Sequence, residues 1–184
     1  VLADMYESFQ IESVSNEAAL AKAFGLYLIA AELNHAQAQY RLGNIYQEIG
    51  EFKKSLDCNE KALEIRMKLY GEKDERTCMC LNNIGRICQN LGKVRDALNY
   101  HQKALQIRMS LLGLYRLETS FSLLNVGIVY QDLWDYQKAQ EHIETATGVR
   151  IKLFGEHSVN AAVAYAAMGG LYREMGSYDS ALEI

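Results

Sequence analysis

Leu42-Gly43-Asn44-Ile45-Tyr46 returns three times along the chain, as Ile84-Gly85-Arg86-Ile87-Cys88, Val126-Gly127-Ile128-Val129-Tyr130 and Met168-Gly169-Gly170-Leu171-Tyr172. The first glycine of each copy, at Gly43, Gly85, Gly127 and Gly169, advances by the same step every time. Three equal intervals define a repeat, and a repeat decides the architecture before any single residue is weighed. Seven residues after that glycine each copy is punctuated again, by Gly50, Gly92 and Gly176, with Trp134 in the third copy. Phe52, Val94, Tyr136 or Tyr178 follows two residues later. Glycine and then a large apolar residue mark a turn that leads into a new helix.

Within a copy the periodicity is helical. Ala38, Leu42, Ile45 and Ile49 fall at i, i+4, i+7 and i+11, as do Phe52, Leu56, Asn59 and Leu63 with one polar lapse. The second helix carries small residues at Ser55, Ala97, Ala139 and Ala181 and again at Ala62, Ala104 and Ala146, where a neighbouring helix can approach closely. One helix pair cannot bury its apolar face alone, so neighbouring pairs must stack. The expected fold is all-α: a right-handed superhelical solenoid of antiparallel helix pairs with a concave side. Residues 36–77, 78–119, 120–161 and a truncated 162–184 are read as one continuous array. Residues 1–35, with Leu2, Met5, Tyr6 and Phe9 on one short helix and Glu17 to Leu33 on another, are read as a divergent first pair.

The composition excludes several functions. The chain is 49% hydrophobic and 23% charged, with no proline and a net charge of −4, and no run of Lys or Arg offers a footprint for nucleic acid or an anionic membrane. The most apolar stretch, Ala161 to Tyr172, is too short to cross a bilayer. Four cysteines form no disulfide frame, so a reduced, cytoplasmic protein is expected. Val1 stands first, and Ala181-Leu182-Glu183-Ile184 stops in the middle of a helical pattern, which reads as a fragment of a longer protein.

The small-residue positions and the Leu-Gly-x-x-Tyr core resemble the tetratricopeptide repeat, whose usual unit is about 34 residues. The unit here is longer, and in that it resembles the kinesin light chain subtype. Ala62-Leu63-Glu64-Ile65-Arg66, a glycine, a polar loop and Leu81-Asn82-Asn83-Ile84 carry that likeness, which covers roughly residues 36 to 184. Ala30 to Gln39 is also similar, over a short stretch, to the junction of Sel1-type repeats. The resemblance implies that the first helix of each pair lines a groove. Projecting those helices turns Arg41, Asn44 and Gln47 inward in one copy and Asn82, Asn83, Arg86 and Gln89 in the next. Asn125 and Gln131 follow in the third copy and Arg173 in the fourth. Amides both donate and accept, which suits the main chain of an extended peptide, although each could equally bond to a neighbouring helix. Arg41, Arg86 and Arg173 put an acidic ligand slightly ahead of a neutral one, with Glu48, Asp132 and Glu174 able to neutralise them. The lysine clamp of chaperone-binding members is not recognisable, since Tyr40, Asn82, Leu124 and Ala166 occupy one of its usual lysine positions.

No catalytic constellation emerges, and neither a metal nor a cofactor is expected. Cys78 and Cys80 point about 200° apart on a helix and cannot share an ion, while Cys88 reads as packing. His35, His101, His142 and His157 have no partner at ligand or triad spacing and read as exposed. Arg66, Arg108 and Arg150 recur at the repeat interval near the ends of second helices and read as cations that serve the macrodipole and the last carbonyls. Trp134, in a glycine position, reads as packing on the adjacent unit or as an anchor for a partner. The function expected is a scaffold or adaptor that holds a protein or peptide and is not an enzyme. The alternatives are a peptide-responsive sensor module of a larger signalling protein, and a spacer that self-associates through its solenoid ends.

Overall fold

The computed structural model describes residues 22–177. These residues form helices joined by short turns, and among them there is no strand. The helices are α1 (residues 22–32), α2 (Ala36–Glu48), α3 (Phe52–Tyr70), α4 (Glu75–Asn90), α5 (Val94–Leu112), α6 (Leu117–Asp132), α7 (Tyr136–Phe154) and α8 (Val159–Glu174). The helix expected over Glu17 to Leu33 is present as α1 where it is described. The one read around Leu2 to Phe9, and the start of a helix at Tyr178 and Ala181, lie outside the described residues. From α3 onward second helices of 19 residues alternate with first helices of 16 residues, and the first helix α2 is shorter, at 13 residues. The chain divides into two compact units, Val1–Ile65 and Arg66–Ile184.

In the first unit Ala31, Ala38, Leu42 and Cys58 are buried together, with Phe24 set edge-on to Tyr46 at 5.9 Å. His35 caps α2 through its Nδ1, which accepts from the Ala38 amide at 3.3 Å. Gly43 lets α3 approach: a β-carbon there would lie 2.1 Å from Asn59 Nδ2. The close approach is made polar by Ser55, whose hydroxyl donates to the Gly43 carbonyl at 2.6 Å, and by Asn59, whose amide donates to the Ser55 carbonyl at 2.9 Å. The polar lapse in the apolar stripe is thus an internal bond.

In the second unit α4, α5, α6, α7 and α8 pack in succession, and α6 also meets α8. A β-carbon on Gly85 would lie 2.7 Å from the His101 ring, and one on Gly127 would lie 2.7 Å from Ile143 Cγ1. Gly85 and Gly127 are therefore required by closeness, as Gly43 is. Gly148, mid-helix in α7 and exposed, has open space around it.

The arginine column is buried. Arg66, Arg108 and Arg150 are 3%, 7% and 0% exposed. Each reaches forward across the loop to a carbonyl in the first turn of the next helix: Arg66 Nη1 to Arg76 O at 2.7 Å, Arg108 Nη1 to Glu118 O at 3.0 Å, Arg150 Nη1 to Asn160 O at 3.0 Å. The expectation of a structural cation holds in kind and needs correction in detail. The guanidinium clasps the following repeat, because a five-donor fork on a long stem can span the loop where a lysine would offer a single point.

The turns inside the pairs share one geometry. Gly92 N–H donates to Gln89 O and Lys93 N–H to Cys88 O, at 2.9 and 2.8 Å; Trp134 N–H donates to Gln131 O and Asp135 N–H to Tyr130 O, at 2.9 and 3.0 Å. These are Schellman closures, which require a left-handed residue just after the helix. Gly92 and Gly176 meet that demand at φ 71° and 74°, and Trp134 adopts it at 64°. For a residue with a side chain that conformation costs about 1–2 kcal/mol.

Candidate functional site

The sequence-predicted groove residues fall in both units. In the first, Arg41 is exposed at the middle of α2, and Asn44 and Gln47 are half-buried on the same helix. Asn44 and Gln47 both take part in interactions within the protein. In the second, Asn82, Asn83, Asn125, Gln89 and Gln131 are half-buried, and Arg86 and Arg173 are exposed.

Asn82 on α4 and Asn125 on α6 come side by side, with Asn125 Nδ2 donating to Asn82 Oδ1 at 3.5 Å. The same oxygen lies 3.2 Å from His101 Nδ1. An amide oxygen only accepts, so Nδ1 carries the proton, and Nε2 is buried with no hydrogen-bond partner. Burial drives the His101 pKa down to about 4, with the Arg86 charge adding to the effect. His101 is 1% exposed, which corrects the reading of the histidines as exposed. Its ring fills the space over Gly85 and so sits where the core needs volume. Sequence reasoning could have placed it, since His101 follows the inward-facing Asn59 by one repeat interval, as Gly85 follows Gly43. Two bonds on one oxygen hold the Asn82 amide in a fixed orientation.

Gln89 and Gln131 belong to a second cluster. Gln89 Nε2, near the end of α4, donates to Asp132 Oδ2, the last residue of α6, at 2.8 Å. With Val94, Trp134, Tyr136 and Glu174 they line a cleft of about 690 Å³ at the turn edge of the unit. Trp134 is 78% exposed and meets Tyr136 edge-on at 6.1 Å. Of the two readings of this tryptophan, packing on the adjacent unit is overturned.

The cysteines take no part. All four are free and buried, and burial pushes the Cys78 and Cys80 thiols up to about 11, which disfavours the thiolate. Cys80 Sγ instead accepts from Arg66 Nη1 at 3.5 Å. Among the described residues no group of three or more His, Cys, Asp or Glu side chains could hold a metal ion. No described helix is long and apolar enough to cross a membrane.

Helix pairs locked by a small residue, closed by Schellman turns and repeated at a fixed interval define a tetratricopeptide-like solenoid. Residues 34–110 and 111–184 match the tetratricopeptide repeat family, and the chain belongs to it. No curated protein matches the chain. Among solved structures it is similar to BtubC (BKLC) from P. vanneervenii, with a TM-score of 0.73 and 23% identity over 80% of this chain and 59% of that one. A structure of nearly identical TPR-like repeats from Podosopora anserina gives 0.73 and 18%, covering 82% of this chain and 71% of that one. A Rap protein complexed with Competence and Sporulation Factor gives 0.69 and 24%, covering 83% of this chain and 41% of that one. The chain thus spans about three fifths of BtubC and two fifths of the Rap protein.

Proposed function

We propose that the chain is a protein-interaction module that holds an extended segment of another protein along its first helices and turns over no substrate. The observation that carries this reading is the pair Asn82 and Asn125, adjacent across two repeats and pre-oriented by His101. A row of fixed amides can pair with a peptide main chain whatever its side chains, and little ordering entropy is spent when the amides are already held. Asn83 and Arg86 on α4 extend the row in the second unit; Arg41, Asn44 and Gln47 would serve the same purpose in the first.

The test is to select binders from a library of short random peptides and measure them against the parent and an Asn83→Ala, Arg86→Ala, Asn125→Ala variant of matched helical circular dichroism. Asn82 stays in place because it holds His101. A loss of about tenfold or more, equivalent to about 1.4 kcal/mol, supports the reading. Undiminished binding by the folded variant would sink it. A second reading, a peptide-responsive sensor within a longer protein, is favoured by the likeness to the Rap protein solved with Competence and Sporulation Factor. A selected peptide that changes the protein's small-angle scattering profile on binding would support that version.

A further inference from the structure

We propose that the cleft at the turn edge of the second unit is a subsite for a cationic side chain, an arginine or lysine of the bound partner. The proposal rests on the interaction-module reading and adds the chemistry of the ligand.

Three features of the cleft carry it. Every formal charge in the lining is negative: Asp132 and Glu174 contribute carboxylates, and no Lys or Arg is among the seven lining residues. Arg173 and Lys93 adjoin the lining in the chain without entering it. Two of the lining residues, Trp134 and Tyr136, are aromatic, and aromatic rings attract cations to their faces. Finally, more helix C-termini than N-termini border the cleft. Gln89 is next to last in α4, Asp132 ends α6 and Glu174 ends α8, while Val94 opens α5 and Tyr136 opens α7, so the helix ends leave a small negative balance beside the two carboxylates.

Two features here run against their own local preferences. An acidic residue is disfavoured at a helix C-terminus, yet α6 and α8, like α2, end in one. A residue with a side chain is disfavoured in the left-handed turn position, yet Trp134 stands where Gly50, Gly92 and Gly176 do. A bound cation offsets the first, and a ring held into solvent over it gives the second a use. Gln89 keeps the Asp132 carboxylate in place by its 2.8 Å bond. The cleft, at about 690 Å³, has the room of a small-ligand site and takes a guanidinium with its stem. This is the opposite charge preference to the one suggested by Arg41, Arg86 and Arg173.

Trp134 is the single tryptophan among 12 tyrosines, so emission excited at the red edge, where tyrosine does not absorb, reports on this site. The probe is acetyl-Gly-Arg-Gly-amide, compared with the same peptide carrying citrulline, which keeps the shape and loses the charge. The arginine peptide is expected to change the emission saturably and to bind about tenfold more tightly than the citrulline peptide. Asp132→Asn with Glu174→Gln should weaken it by about the same factor without altering the helical spectrum. Equal binding of the two peptides, or no saturable change, overturns the proposal. Trp134→Gly supplies a variant that folds, because glycine suits the turn, and calorimetry should find the arginine peptide no longer bound; retained binding overturns the proposal. The two readings fail separately. If library peptides need Asn83, Arg86 and Asn125 while the arginine probe is silent, the subsite falls and the module stands; if the arginine probe binds and the amide variant loses nothing, the reverse holds.

Discussion

Two consecutive repeats of the second unit solve one packing problem with opposite chemistry. In the repeat built from α4 and α5, Gly85 is covered by His101 and the clasping Arg108 is paired with Glu75, its Nε lying 3.1 and 3.2 Å from the two carboxylate oxygens. In the repeat built from α6 and α7, Gly127 is covered by Ile143. There Arg150 bonds to Ser120 Oγ at 3.0 Å and lies 4.4 Å from the centre of the Phe121 ring, with Nη2 buried and unpartnered. Burial alone holds the Arg150 pKa below the usual arginine value. The cause is legible in the chain: Leu117 occupies, relative to Arg150, the repeat position that Glu75 occupies relative to Arg108. A repeat preserves the geometry of a contact, and each copy finds its own electrostatics for it.

Acid should separate the two repeats most. The unfolded chain takes up a proton on His101 near pH 6.5, whereas the folded protein refuses it until about pH 4. The His101 contribution to folding stability is therefore complete above pH 6.5 and is lost as pH falls toward 4, by about 1.4 kcal/mol per unit and on the order of 3 kcal/mol in all. Thermal melts between neutral pH and that limit should show this decline in the parent, and His101→Ile, which copies Ile143, should flatten it. A parent curve that stays flat would place the proton elsewhere.

Removing the clasps comes next. Arg108→Met should cost about 2–3 kcal/mol in urea unfolding, since it abandons Glu75, Ser122 and the Glu118 carbonyl together, while Arg150→Met, which also removes an uncompensated buried charge, should cost less than about 1 kcal/mol. Equal costs would show that the carbonyl bond alone matters.

The glycines test the interlock itself. Gly127→Ala gains helix propensity but drives a methyl against Ile143, for a net loss of about 1–2 kcal/mol. Gly148→Ala meets open space and should gain about 0.5–1 kcal/mol. Chemical denaturation of the two variants side by side should give opposite signs.

The smallest effect is a repair. Leu117→Glu gives Arg150 the carboxylate that Arg108 already has and should raise stability by about 1 kcal/mol. The gain should vanish in the Arg150→Met background, a double-mutant cycle that isolates the pair.

The period, the helix pairs, the turn positions and the family were all readable along the chain, because each is written in local patterns: apolar spacing, small residues and glycine at fixed offsets. The candidate amides Asn82 and Asn125 were legible for the same reason, being residues of one face of successive first helices. What those residues touch became visible only once the helices were packed. That His101 is neutral and buried, that Arg108 and Arg150 clasp the next repeat, and that Gln89, Asp132, Trp134 and Glu174 share one cleft all depend on contacts between side chains well separated in the chain. Such contacts arise from the stacking of repeats, and no pattern within a single repeat encodes the angle at which its neighbours meet.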